Sequence, residues 1–146
     1  MVIHIDLNTL QQSLLDDLRP YEDVHERLAA VVERTRRIPR FSADARTADH
    51  RVPGCSSHVW LIGEYLEGRC GFRSDADSPV VRGLVALLAD FYSGSTPREI
   101  LATDTDPLEV LGLNRTLTHT RRHGLAAVVS FIRRFAEAHL TSTHSV

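Results

Sequence analysis

The sequence has few cysteines: only Cys55 and Cys70 occur among 146 residues. Two thiols are too few for a disulfide framework and favour a reducing compartment, so we expect a cytoplasmic protein. No stretch approaches the roughly 20 apolar residues that a membrane span needs. The first ten residues, which include His4 and Asp6, resemble neither a secretory signal nor a transit peptide.

The chain also lacks an excess of either charge. Its 17 basic and 19 acidic residues give a formal net charge of −2 with neutral histidines, which provides no general attraction to nucleic acid or to a membrane surface. A chain of this length buries roughly two thirds of its unfolded surface, so it needs neither disulfides nor a metal to fold. We therefore expect one domain spanning residues 1–146.

Apolar spacing and capping signals predict most of the helices. Residues 21–38 carry an apolar stripe at steps of four and three, which Pro39 ends. Ser78 and Pro79 open a strongly apolar helix that is expected to be central and buried. The other predicted helices start at Asn8, at the Thr96 capping box, at Pro107 and near Thr118 or Thr120, and they reach about residues 20, 101, 111 and 140.

Two short strands are predicted between these helices. Residues 59–62 are β-branched, aromatic and aliphatic, Glu67-Gly68 is typical of a hairpin turn, and a second strand follows over 69–73. Residues 40–51 are polar and without periodicity, which indicates a loop. Helices, a short antiparallel sheet and more helices in this order predict an α+β fold.

Cys55 follows Pro53-Gly54, a dipeptide typical of a turn that here leads into the first predicted strand. Two interpretations remain open from the residues alone. Cys55 is either an inert buried cysteine, the commoner case, or a thiol displayed on a short shaped loop. Cys70 lies within the second predicted strand and is expected to serve packing.

Several ordered motifs resemble the SufE family. Residues 54–60, Gly-Cys-Ser-Ser-His-Val-Trp, resemble its Gly-Cys-Gln-Ser-Gln-Val-Trp signature. Residues 74–77 and 80–84 are similar to its Ser-Asp-Ala segment and to its Ile-Val-Lys-Gly-Leu helix. Tyr92, Thr96-Pro97 and Ile100, and then residues 111–113, 117–121 and 124–127, match later segments. The resemblance covers roughly residues 20–137.

The resemblance implies a fold like that of the IscU scaffold proteins, with a small antiparallel sheet and helices packed on one side. It also implies a carrier that accepts persulfide sulfur on Cys55 from a pyridoxal-phosphate cysteine desulfurase of the SufS type, stimulating that enzyme. Arg121 matches the late basic residue of the family and is expected to stabilise the thiolate or persulfide. The recipient would be an iron–sulfur scaffold complex of the SufBCD type.

No resident cofactor and no metal are expected, only the transient persulfide on Cys55. The protein is expected to act as an activating partner rather than as an enzyme alone, and as a monomer or weak homodimer. Pro53-Gly54 is expected to act as a hinge that releases a protected Cys55. The sequence departs from the family pattern at Ser56 and His58, where glutamines are usual, and His58 adds a titratable ring near the thiol.

Three other functions stay open. Cys55, His58, Cys70 and His50 offer two sulfurs and two nitrogens to a zinc or cluster site, although their spacing matches no strong zinc pattern. Cys55 with His119 or His123 would form a cysteine–histidine nucleophile, without an evident third residue to orient it. A module that regulates a desulfurase without carrying sulfur would not need Cys55.

Overall fold

The computed structural model describes residues 7–55 and 57–143, with the backbone alone for 141–143. Its elements in chain order are α1 (Thr9–Leu18), α2 (Val24–Arg34), β1 (Val59–Leu66), β2 (Arg69–Ala76), α3 (Pro79–Tyr92), α4 (Pro97–Ala102), α5 (Pro107–Val110) and α6 (His119–Thr143). Short 3-10 turns lie at Thr35–Arg37, Ala48–His50 and Leu113–Thr116. The predicted α+β class is confirmed.

The helix starts lie where the capping signals predict them. Asn8 and Gln11 form a reciprocal capping box at α1, Ser78 caps α3 ahead of Pro79, and Thr96 and Glu99 form a second box at α4. Helix α2 begins at Val24, after the Asp23 cap and three residues beyond the predicted start at Tyr21, and it ends four residues before Ile38, the predicted end. There the Thr35 hydroxyl donates to the Val32 carbonyl and the chain tightens into a 3-10 turn.

The two strands pair antiparallel in register from Leu66 opposite Arg69 to Val59 opposite Ala76. Glu67 and Gly68 connect them with φ values of 54° and 82°, which is the left-handed geometry of a two-residue hairpin turn. The strands continue past the predicted ends at residues 62 and 73. Most of the added residues are polar or small, and Gly63-Glu64 interrupts the strand signal before Tyr65 and Leu66.

Helices pack on one face of this sheet, as expected. Val59, Leu61 and Phe72 face α3 and α6 and are buried. Gly63 lies directly beneath the Phe135 ring of α6, because a Cβ at Gly63 would stand 2.5 Å from that ring. Helix α3 is the central buried helix, with Leu84, Leu87, Leu88 and Phe91 fully shielded from solvent.

The segment between α2 and β1 is held by a buried carboxylate. Asp75 of β2 is 1% exposed and pairs with Arg82 of α3 and with Arg40 and Arg46 of that segment, at 2.9–3.1 Å. It also accepts the backbone N–H of Phe41 at 2.9 Å. This cluster fixes the otherwise aperiodic chain that leads to Cys55, and no sequence pattern predicted it.

The electrostatics of Asp75 follow from these contacts. Burial alone would raise the pKa of Asp75. Two backbone N–H groups and the guanidinium groups of Arg46 and Arg40 lower the pKa by more than burial raises it, so the net pKa lies below the ordinary value. Asp75 is therefore ionised at neutral pH.

Among the described residues, no helix is long and apolar enough to cross a bilayer.

Candidate functional site

Cys55 lies on a loop whose two ends are joined by backbone contacts. The Val52 N–H donates to the Val59 carbonyl at 2.8 Å, and Arg51 forms an antiparallel bridge with Trp60. Inside the loop the predicted Pro53-Gly54 turn is confirmed. Gly54 has a φ of 89°, and a Cβ there would stand 3.4 Å from the Ala127 Cβ of α6. The turn therefore needs glycine at this position.

Helix α6 contacts the Cys55 thiol directly. The Cys55 Sγ–H donates to the Gly124 carbonyl at 3.3 Å, and a Cβ at Gly124 would stand 3.5 Å from that sulfur. Cys55 is partly buried, whereas Cys70 is 2% exposed within β2. The thiol at rest is turned toward the protein, because it donates a hydrogen bond to a helix carbonyl rather than to solvent.

A small cavity lies beside this sulfur. Its volume is about 20 Å³, and β1, α3 and α6 line it with aliphatic side chains that include Val59, Val85 and Val128. A space of this size admits about one water-sized group. Ser57, Thr120 and Arg121 complete the lining, so the space has an aliphatic side and a polar side and can take one small polarisable atom next to Cys55.

Burial raises the pKa of both thiols and so lowers their reactivity as nucleophiles. Burial raises the pKa of Cys55, and the charge of Arg51 partly opposes that rise. Burial alone raises the pKa of Cys70 to about 11, which leaves about one thiolate in a thousand at pH 8. Cys55 is thus protonated at rest, and an excursion of its loop into water would remove the cause of the raised pKa.

The structure places Arg121 in the lining of the same cavity as Cys55, although 66 positions separate them in sequence. The first turn of α6 carries it there, where its backbone N–H is accepted by the Thr118 hydroxyl. The cation that acts on the resting thiol is Arg51, which no sequence motif indicated. Its position four residues before Cys55 was the only available signal.

His58 and Ser56 are the two departures from the resembled motif. His58 Nδ1 lies 2.8 Å from an Asp77 carboxylate oxygen, with both side chains half exposed. The His58 ring centroid lies 5.8 Å from that of Trp60. Ser56 lies outside the described residues.

The residues named for the rival sites do not converge. His50 Nδ1 lies 2.9 Å from the Ala45 carbonyl, and Cys70 is enclosed in β2. Over 7–55 and 57–143 no three histidine, cysteine or acidic side chains form a group that would hold a metal ion. His119 and His123 are exposed at the start of α6, and neither lines the Cys55 cavity.

Comparisons with known proteins agree on one family. Residues 12–136 match the model of the SufE family, described as the Fe-S metabolism associated domain. An uncharacterized SufE-like protein of Rhizobium etli is 33% identical over 129 residues, covering 85% of this chain and 87% of its own. Another from Rhizobium meliloti is 30% identical over 137 residues, covering 90% and 98%.

A solved structure shares the fold. The solution structure of a hypothetical protein from Thermus thermophilus superposes with a TM-score of 0.74 at 17% identity. The match covers 93% of this chain and 99% of the other.

Proposed function

The chain belongs to the SufE family of Fe-S metabolism associated domains and has a role in iron–sulfur metabolism; from this premise we propose that Cys55 accepts persulfide sulfur from a cysteine desulfurase and passes it on. The observation that carries the proposal is the placement of Cys55. Its thiol sits on a tethered loop, faces α6, and adjoins a space of about 20 Å³. Such a site has room for one extra sulfur atom beside Cys55 and is too small for a foreign thiol compound.

The transfer step conserves electrons. The desulfurase carries its sulfur as a persulfide, and the Cys55 thiolate attacks the outer sulfur atom. A new S–S bond forms at Cys55, the bond to the enzyme's own sulfur breaks, and the enzyme's thiolate leaves with that bond's electron pair. One proton passes from Cys55 to the departing thiolate, so nothing is oxidised or reduced overall.

Loop movement controls the nucleophile in this proposal. The closed loop keeps Cys55 protonated through burial, which protects it from stray oxidants and disulfides. Docking of the desulfurase draws the loop outward about Pro53-Gly54, and the pKa falls as water reaches the sulfur. Arg51 and Arg121 flank the loop and the cavity, where their charges favour the anionic thiolate and persulfide.

The proposal extends to the sulfur recipient, to the group carried and to the domain. The sulfur recipient is an iron–sulfur scaffold complex, the persulfide is the only group carried, and residues 1–146 act as one domain. The protein stimulates its desulfurase by removing sulfur from it, and it has no turnover of its own.

The test mixes the protein with a pyridoxal-phosphate cysteine desulfurase and free cysteine and measures intact mass. We expect one reductant-removable sulfur atom on the wild type and on Cys70→Ser, and none on Cys55→Ser. Desulfurase stimulation should be lost with Cys55→Ser. If Cys55→Ser still stimulates the enzyme fully, the protein regulates without carrying sulfur and the proposal is wrong.

A further inference from the structure

The His58–Asp77 pair lies at the exit of the Cys55 loop. His58 is the residue directly before β1, and Asp77 directly follows β2. Their side chains approach to 2.8 Å, and the Asp77 N–H donates to the His58 carbonyl at 3.2 Å. Because a carboxylate accepts hydrogen bonds, it holds the proton of neutral His58 on Nδ1. The Nε2 atom is then left as a free proton acceptor.

This pair borders the space in front of the thiol. Ser57 lines both the cavity at Cys55 and a wide surface depression of about 380 Å³ that His58, Asp77 and Ser78 complete. In the proposed loop movement, the chain swings outward at Pro53-Gly54 and carries Cys55 toward this depression. A donor persulfide that meets the released thiol would approach from this side, since the resting thiol is held against Gly124 of α6.

Transfer at this site needs a place for one proton. The resting thiol donates a hydrogen bond to the Gly124 carbonyl. A backbone carbonyl is too weak a base to take the proton itself. The leaving thiolate of the donor needs a proton as the S–S bond breaks. A titratable group between the two sulfurs serves both needs, and His58 is the one that the described loop supplies.

Building on the proposed sulfur transfer, we propose that His58, oriented by Asp77, carries this proton. Nε2 of His58 accepts the proton of Cys55 as the sulfur attacks the outer sulfur of the donor. The S–S bond of the donor breaks, and His58 returns the proton to the departing thiolate. His58 ends neutral, so the cycle balances without an added acid or base.

The charged groups around the pair come from four parts of the chain. Asp77 faces His58 from the β2–α3 connection, and Arg46 stacks over the Trp60 ring with 5.0 Å between its guanidinium carbon and the ring centroid. Arg51 acts on Cys55 from the start of the loop. Arg121 reaches the cavity from α6. An arginine side chain does not give up its proton in proteins, so among these groups the histidine is the one that can relay a proton.

The desulfurase is first loaded with persulfide by free cysteine. The experiment then measures, by intact mass between pH 5 and 9, the rate of a single transfer of sulfur from this enzyme to Cys55. His58→Gln retains a side-chain N–H for Asp77 but cannot titrate, and Asp77→Asn removes the carboxylate. His25→Gln, at an exposed position on α2, is the matched control. Thermal unfolding of each variant checks that the fold is kept.

We expect His58→Gln to slow transfer roughly a hundredfold or more near pH 7, as loss of an acid–base group does, and to remove one inflection from the pH profile. Asp77→Asn should slow transfer less, and His25→Gln not at all. If His58→Gln transfers at the wild-type rate, or is slowed equally at every pH with the inflection retained, the inference is overturned. If the wild type itself gains no sulfur at any pH, the proposed function is wrong and this inference is lost with it.

Discussion

Gly124→Ala should separate the stability of the protein from its capacity to hold sulfur. The new Cβ would lie 3.5 Å from the Cys55 Sγ and 3.8 Å from the Cys55 Cα and Cβ. These are ordinary van der Waals distances, so the free thiol accommodates the methyl group. Within α6, replacing glycine by alanine favours the helix by about 0.5–1 kcal/mol. We therefore expect a variant at least as stable as the wild type.

The persulfide form should respond in the opposite way. An outer sulfur lies about 2.05 Å from Sγ and has to share a cavity of about 20 Å³ with the new methyl group. Overfilling a packed site costs about 1–3 kcal/mol, and each 1.4 kcal/mol is about a tenfold change in an equilibrium. The closed, protected persulfide should therefore be depleted roughly 5- to 150-fold.

The assay loads wild type and Gly124→Ala with sulfur and follows persulfide loss to glutathione by intact mass. We expect the variant to lose its sulfur roughly 5- to 150-fold faster, with an equal or higher melting temperature. Gly71→Ala is the matched control, because nothing lies within 4 Å of the position of its Cβ. Equal persulfide lifetimes for wild type and Gly124→Ala would show that the cavity is not where the sulfur is kept.

Three other contacts can each be tested by a single substitution. The rate of Cys55 alkylation by iodoacetamide should have a pH midpoint above the ordinary cysteine value of about 8.5, since burial raises the pKa of Cys55. Arg51→Gln should move this midpoint higher, because it removes the charge that opposes the rise. An unchanged midpoint would exclude Arg51 as the opposing charge. Asp75→Asn should destabilise the fold by about 3 kcal/mol in urea unfolding at pH 7, because buried arginine contacts lose their partner. The pKa of Asp75 in the folded protein is depressed, so its contribution to the free energy of unfolding is full above about pH 4 and is lost as the pH falls through that depressed pKa. The difference in unfolding free energy between wild type and Asp75→Asn should therefore shrink at low pH. Gly63→Ala should cost about 1–3 kcal/mol through its clash with Phe135, and Phe135→Leu should recover part of that loss; a Gly63→Ala protein as stable as wild type contradicts the packing.

The elements that sequence predicted correctly are the ones that neighbouring residues determine. A helix start depends on a capping side chain and the next three residues, as at Ser78 and Thr96, and the Glu67-Gly68 turn depends on two backbone conformations. Ordered motifs around Cys55 were enough to identify the family. Strand ends were missed because residues beyond Ile62 extend through pairing with β2, and composition does not encode that pairing.

The sequence by itself therefore determined the α+β class, the helix caps and the turn at Gly54, and its motif is the basis for proposing Cys55 rather than Cys70 as the sulfur site. Only the tertiary structure decided what surrounds the thiol: the Gly124 carbonyl lies 69 positions away, Asp75 gathers arginines from α3 and from the aperiodic segment before Cys55, and His58 finds Asp77 across the hairpin. The physical reason is that burial, charge and cavity space at Cys55 are sums over elements far apart in the chain. They come into existence only when α6 closes against the loop.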